Sequence, residues 1–181
     1  MRLTPGTYEL GPDDGTLSVR TGRTGAAAKA GHDLLLHVTA WRATLEVDDD
    51  AAPARIAVEA DATSLRVREG TGGLRALDQD DKANIEQTID DEVLRRQPVE
   101  FSSTSVRTTD DGRSRIEGEL TLVGKTRPIA FDAVVDGEGR VTAALVVRQT
   151  EWGITPYSAL FGALRVADEV EVAFDGRLAS P

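Results

Sequence analysis

The sequence predicts a mainly β fold in which about eight antiparallel strands close into a barrel, accompanied by one amphipathic helix at about residues 77–95. Three patterns carry this expectation. One long alternating run reverses its phase halfway. Strand-like segments recur at short intervals between turn-forming clusters. A single segment has the period of a helix instead of a strand.

The reversing run is HDLLLHVTAWRATLEV, residues 32–47. Leu34, Leu36 and Val38 share one face at even positions. Trp41, Ala43, Leu45 and Val47 continue the apolar face at odd positions, with Arg42, Thr44 and Glu46 opposite. Period-two alternation describes a strand with one dry and one wet face. A flip near Ala40 requires a β-bulge or a barrel corner, because one extra residue exchanges the faces. Strands before and after it follow the same logic. Thr7 to Leu10 and Thr16 to Arg20 flank the turn cluster Gly11-Pro12-Asp13-Asp14-Gly15. Ile56, Val58, Ala60 and Ala62 alternate, and the phase changes again at Leu65 and Val67. Further strands are expected at Val99 to Val106, Ile116 to Val123, Ile129 to Val135, Val141 to Val147 and Val170 to Leu178. Asp110-Asp111-Gly112 and Asp136-Gly137-Glu138-Gly139 read as hairpin connections.

The helical segment is LDQDDKANIEQTIDDEVLR. Asp78 suits the N-cap, Asp80 and Asp81 suit the positive end of the dipole, and Arg95 and Arg96 suit the negative end. Ile85, Ile89 and Val93, with Leu94 beside them, form a narrow apolar stripe that needs a surface to lie on, and Pro98 forbids continuation. A barrel wall or mouth is the available surface.

Bulk composition narrows the functional classes. The chain has 181 residues, 40% hydrophobic and 29% charged, which fits one soluble domain spanning 1–181. Its net charge of −10 excludes the basic footprint that nucleic acid demands, and argues against electrostatic docking on anionic lipid surfaces. There is no cysteine, so disulfide and thiolate chemistry are excluded. MRLTPGTYEL lacks the pattern of a signal peptide and no apolar run has transmembrane length, so a cytoplasmic location is expected.

Strand phase places Leu34, Leu36, Trp41, Phe101, Leu120, Leu122, Leu145, Val147, Val172 and Phe174 inward. They form either an ordinary filled core or the wall of a cavity. Ser103 and Ser105 on the phase of Phe101, and Gly118 and Gly124 on that of Leu120, would leave space, although small residues also mark barrel corners. Holding a long hydrocarbon needs only apolar area, since each buried methylene contributes about 0.8 kcal/mol. Aromatic residues make up only 4% of the chain, yet the loop 151–162 gathers Trp152, Tyr157 and Phe161 beside Leu160. Trp152 and Phe161 either contact a bound chain at the rim or pin a long connection to the barrel. His32 falls on the inward phase and is either a hydrogen-bonded structural residue or a contact for a ligand headgroup; His37 points the other way, so the two cannot share a metal. No Gly-x-Ser-x-Gly elbow, phosphate loop or EF-hand spacing occurs, so no catalytic residue, metal or cofactor is expected.

Taken together, these segments resemble the YceI-like family. GTYEL resembles its opening strand, Arg96 to Val106 the strand after its helix, and Val166 to Val172 its closing strand. The most specific match is Gly118-Glu119-Leu120-Thr121-Leu122-Val123-Gly124-Lys125-Thr126-Arg127-Pro128, which is similar to the family's hairpin. The resemblance implies a lipocalin-like barrel with a hydrophobic tunnel for a polyisoprenoid or similar amphiphile. Two departures stand out. Gln149-Thr150-Glu151-Trp152-Gly153 lacks the arginine of the family's R-x-D-F-G, and the helical region is longer and more acidic. Binding, storage or transport of an apolar isoprenoid-like ligand is therefore expected. An enzyme using His32 as acid or base on a hydrophobic substrate is the alternative, as is a filled barrel serving as a protein-interaction module; a homodimer is open in each case.

Overall fold

The computed structural model describes residues 3–109 and 113–178, so the turn expected at Asp110-Asp111-Gly112 lies outside the described residues. The strands are β1 (Gly6–Leu10), β2 (Gly15–Thr24), β3 (His32–Val38), β4 (Trp41–Val47), β5 (Pro53–Ala60) and β6 (Leu65–Gly72). They continue as β7 (Val99–Thr108), β8 (Arg113–Leu122), β9 (Lys125–Val135), β10 (Arg140–Arg148), β11 (Ser158–Ala159) and β12 (Leu164–Arg177). The α-helix, α1, is Gln79–Thr88. Strand order is β1-β4-β5-β7-β8-β9-β10-β12-β2-β3-β6, with β11 paired to β12. Every pairing among the described residues is antiparallel.

This is a curled antiparallel sheet with one helix, but the described residues form twelve strands and not the eight expected. Two of the extra strands have one physical origin, and the two-residue β11 adds another. β3 runs into β4 through Thr39 and Ala40, and β5 runs into β6 through residues 61–64, so two long strands are each broken at one corner. β3 pairs with β6 before the corner and β4 pairs with β5 after it. Four hydrogen bonds clasp the bend: Thr39 N and Thr39 Oγ1 to Ser64 O, each 2.9 Å, Asp61 N to Ala40 O at 3.0 Å, and Ser64 Oγ to Asp61 O at 2.8 Å. Because β3 also pairs with β2, and β5 with β7, this one bent hairpin touches both halves of the sheet and wraps it around an interior. The phase reversal near Ala40 is the corner itself.

Asp78 caps α1 as its sequence suggests. Its Oδ1 accepts from Asp81 N at 2.8 Å while Asp81 Oδ2 accepts from Asp78 N at 3.0 Å, a reciprocal capping box. The helix does not continue in α form to residue 95. After Thr88 it widens into a π turn, Ile89–Val93, and Arg95 and Arg96 take left-handed φ values of 53° and 54°. The wider turn keeps Ile89, Val93 and Leu94 together on the inner side, with Asp90 half-buried beside them, while Asp91 and Glu92 face water. Glu86 Oε1 accepts from Val67 N at 2.8 Å, and the helix thereby covers part of the β6 edge, whose free amides would otherwise invite strand addition.

Two apolar clusters face each other across the interior. One gathers Leu36, Val38, Leu65 and Val67 with Tyr8, Trp41 and Leu178; the other gathers Phe101, Ile116, Leu120, Leu122, Val147 and Trp152.

Candidate functional site

Alternation fixes what the interior sees. β2 contributes Leu17, Val19, Thr21 and Arg23; β8 contributes Ser114, Ile116, Leu120 and Leu122; β10 contributes Val141, Ala143, Leu145 and Val147. These are residues of one strand face, as a pleated wall requires. The side chains do not meet in the middle. They enclose a cavity of about 670 Å³, within the roughly 300–1,000 Å³ range of small-molecule sites.

Leu34, Leu36, Trp41, Phe101, Leu120, Leu122, Leu145, Val147, Val172 and Phe174 all lie on this wall, as does His32. Trp41 and Phe174 meet edge to face at 5.6 Å, and Phe101 packs on Phe131 at 5.5 Å, so the larger rings are braced against each other instead of filling the centre. The helix and its π turn add Asn84, Ile85, Thr88, Ile89, Val93 and Leu94, which makes the predicted stripe a wall of the cavity.

Two aromatic residues of the loop depart from the expectation of ligand contact. Trp152 is 2% exposed and lies outside the cavity; its indole Nε1 donates to Leu120 O at 3.0 Å, and a short 3-10 turn, Gln149–Trp152, tucks the ring behind β8. Phe161 stands in solvent, because left-handed φ values at Leu160 (52°) and Phe161 (54°) turn the chain outward. The small residues expected to leave space also behave differently. A bulge between Ser103 and Ser105 shifts the phase of β7, so Val106 faces the cavity and Ser105 does not. A Cβ at Gly118 would lie 2.6 Å from the Phe101 ring, so that glycine makes room for Phe101 and adds no free volume.

Register brings the ends of β2, β6 and β10 and the starts of β3 and β12 to one end of the barrel. The polar wall residues concentrate here. His32 Nε2 lies 2.8 Å from Arg75 O; because a carbonyl only accepts, this contact places the ring proton on Nε2. Arg23 donates from Nη1 to Gly31 O, its backbone N donates to Asp33 Oδ1 at 3.0 Å, and its Nε is 3.7 Å from the same carboxylate. Asp33 therefore serves Arg23 and not His32. Arg165 also lines this end, beside Tyr157 and Leu164, and its Nε donates to Gly162 O at 2.9 Å. Neither Arg23 nor Arg165 stands out as a wall residue in the sequence, although extending the Leu17, Val19 alternation to Thr21 and Arg23 would find the first. His37 is outward, 3.3 Å from Arg68 Nε, and both partial burial and that guanidinium hold its pKa below the usual imidazole value. Among the described residues no group of three or more His, Asp or Glu side chains gathers to hold a metal. No helix among them is long and apolar enough to cross a membrane.

Likeness to known proteins agrees with this architecture. BcnA of Burkholderia cenocepacia superposes with a TM-score of 0.65, covering 92% of this chain and 96% of that one at 16% identity. The YCEI protein of Campylobacter jejuni gives 0.60, covering 81% and 85% at 12% identity. A UPF0312 protein of Pseudomonas putida is 39% identical over 49 residues, a match spanning 27% of this chain and about a quarter (26%) of that relative's length. The YceI-like domain profile matches residues 8–178, nearly the whole barrel, and the chain belongs to that family.

Proposed function

We propose that the protein binds a long, apolar, chain-like molecule in its interior, an isoprenoid-type lipid being the class that the family resemblance implies, and holds it without transforming it. The observation that carries this reading is the cavity of about 670 Å³ with its almost wholly apolar wall. Its few polar groups gather at one end and leave the length of the wall unsuited to a sugar or a nucleotide, whereas ten methylenes buried there would contribute about 8 kcal/mol as an upper bound. A polar headgroup would sit at the His32 end, where Arg23 and Arg165 supply the donors. His32 suits a contact role better than acid–base work because Nε2 is engaged by a backbone carbonyl and the neighbouring Asp33 is committed to Arg23.

The test is native mass spectrometry and solvent extraction of purified protein, side by side with Leu122→Trp. Leu122 is 8% exposed on the wall. A hollow barrel accepts the indole and loses its ligand, and once lipid has been stripped from both proteins the variant melts where the wild type does. A barrel with no working space loses stability by about 1–3 kcal/mol through overpacking. No extractable lipid, together with a destabilised L122W, would sink the proposal.

A further inference from the structure

The large hydrophobic side chains exposed among the described residues are Leu74, Val146, Tyr157, Leu160 and Phe161. All but Val146 belong to the end of the barrel that holds His32. Leu74 follows Gly73, a position with no room for a Cβ because the His32 ring packs against it. Tyr157 O accepts from Val166 N at 2.9 Å, and Ala159 pairs with Leu164, which places the 157–162 loop on the rim at the start of β12. Leu160 is 57% exposed, and the Phe161 ring stands wholly in solvent. Both occupy left-handed backbone, which costs a non-glycine residue energy and here holds an apolar tip away from the protein.

Charge is distributed to match. The chain carries −10 overall, yet residues 21–31 and 153–167, which meet through Ala27 N and Ala163 O at 2.9 Å on the side of the rim that carries the tip, contain Arg23, Lys29 and Arg165 and no acidic residue; the acidic Asp33, Glu69, Asp78 and Asp81 of this end belong to β3, β6 and the helix start. Lys29 and Arg165 have no acidic partner among the described residues. The net charge argues against docking on anionic lipid, but the local patch departs from that expectation: an apolar tip beside two cations without acidic partners is complementary to an interface that is anionic outside and oily beneath. We propose that this end of the barrel docks on a membrane surface containing anionic lipid, with Leu160 and Phe161 entering the headgroup–acyl boundary. The net charge then orients the molecule, because the acidic remainder is repelled. Docking stands apart from what the cavity holds; that it serves loading or release of a lipid rests on the binding role proposed above.

Sedimentation with vesicles of phosphatidylcholine, with and without phosphatidylglycerol, tests this on the full chain. Wild type should pellet with the mixed vesicles and bind pure phosphatidylcholine more weakly. Phe161→Asn, a residue tolerant of left-handed backbone, should weaken binding about tenfold while leaving the melting temperature and any extracted lipid unchanged. Lys29→Gln should abolish part of the preference for the anionic vesicles without touching the phosphatidylcholine baseline. Wild type remaining in the supernatant overturns the proposal, as does F161N binding like wild type. So does a dimer in sedimentation velocity that F161N dissociates, since the tip would then cover a second copy. Loss of extractable lipid with vesicle binding intact would sink the cavity reading and spare this one.

Discussion

The helical segment 79–93 turns Ile85, Ile89 and Val93 onto the cavity, whereas the loop 149–163, richer in aromatic residues, scatters them: Trp152 is buried behind the wall, Tyr157 lines the cavity at its rim and Phe161 stands in solvent. A helix repeats every 3.6 residues, so its apolar stripe has one direction and must find one surface. The loop has no repeat. Gln149–Trp152 turns inward under Gly153, whose φ of 74° reverses the chain, and the left-handed pair at Leu160 and Phe161 turns it outward. Periodic segments declare where their apolar residues go; irregular ones leave that to backbone turns.

The widest contrast should come from replacing Trp152 and Phe161, the most buried and the most exposed of the loop's three aromatic residues. Trp152→Ala should cost about 3–5 kcal/mol in denaturant unfolding, through the cavity it opens and the lost bond to Leu120 O. Phe161→Asn should change stability by less than about 0.5 kcal/mol, as an exposed substitution does. Equal losses at both positions would mean that the loop packs as a unit and the contrast is false.

A smaller effect belongs to the helix start. Asp78→Ala removes the capping box and the Asp78 contact to Arg75, and should lower stability by about 1 kcal/mol. Hydrogen exchange should quicken across 79–88 and leave the loop 149–163 untouched, since the two segments hold the barrel independently.

The smallest effect lies at Asp90 in the π turn. Burial lifts its pKa above the ordinary 3.8, reinforced by Asp91 and Asp61 and opposed by Arg66 and Arg96, and its Oδ1 has no partner. With the folded value raised, this carboxyl favours folding only while protonated, and stability is lost as the pH climbs from the ordinary value through the raised one. Asp90→Asn should therefore raise the melting temperature slightly at neutral pH, and the gain should vanish at acid pH. A gain that is independent of pH would show that charge at this turn is irrelevant.

Much of the barrel can be read from residue order. The inward faces of β3, β8, β10 and β12 follow from alternation, and the corner follows from the reversal at Ala40. The strand count does not, because a strand that bends is continuous as sequence and divided as hydrogen-bonded ladder. Alternation misplaces Ser105 because of a bulge at Thr104, a single extra residue that Ser and Thr side chains do nothing to announce. Hollowness is equally hidden. It depends on rings such as Trp41 and Phe174 leaning on each other, and that is a property of three-dimensional packing alone.

The pairing of β2 with β12 joins residues 15–24 to residues 164–177. The chain must be synthesised through β12 before this seam can zip, while the bent hairpin of residues 32–72 can form long beforehand. Closure is thus the late, slow event of folding, because contacts so distant along the chain are entropically costly to find. Until then the greasy lining stays open to other nascent chains, and truncation of the final strand would leave an open trough instead of a smaller barrel.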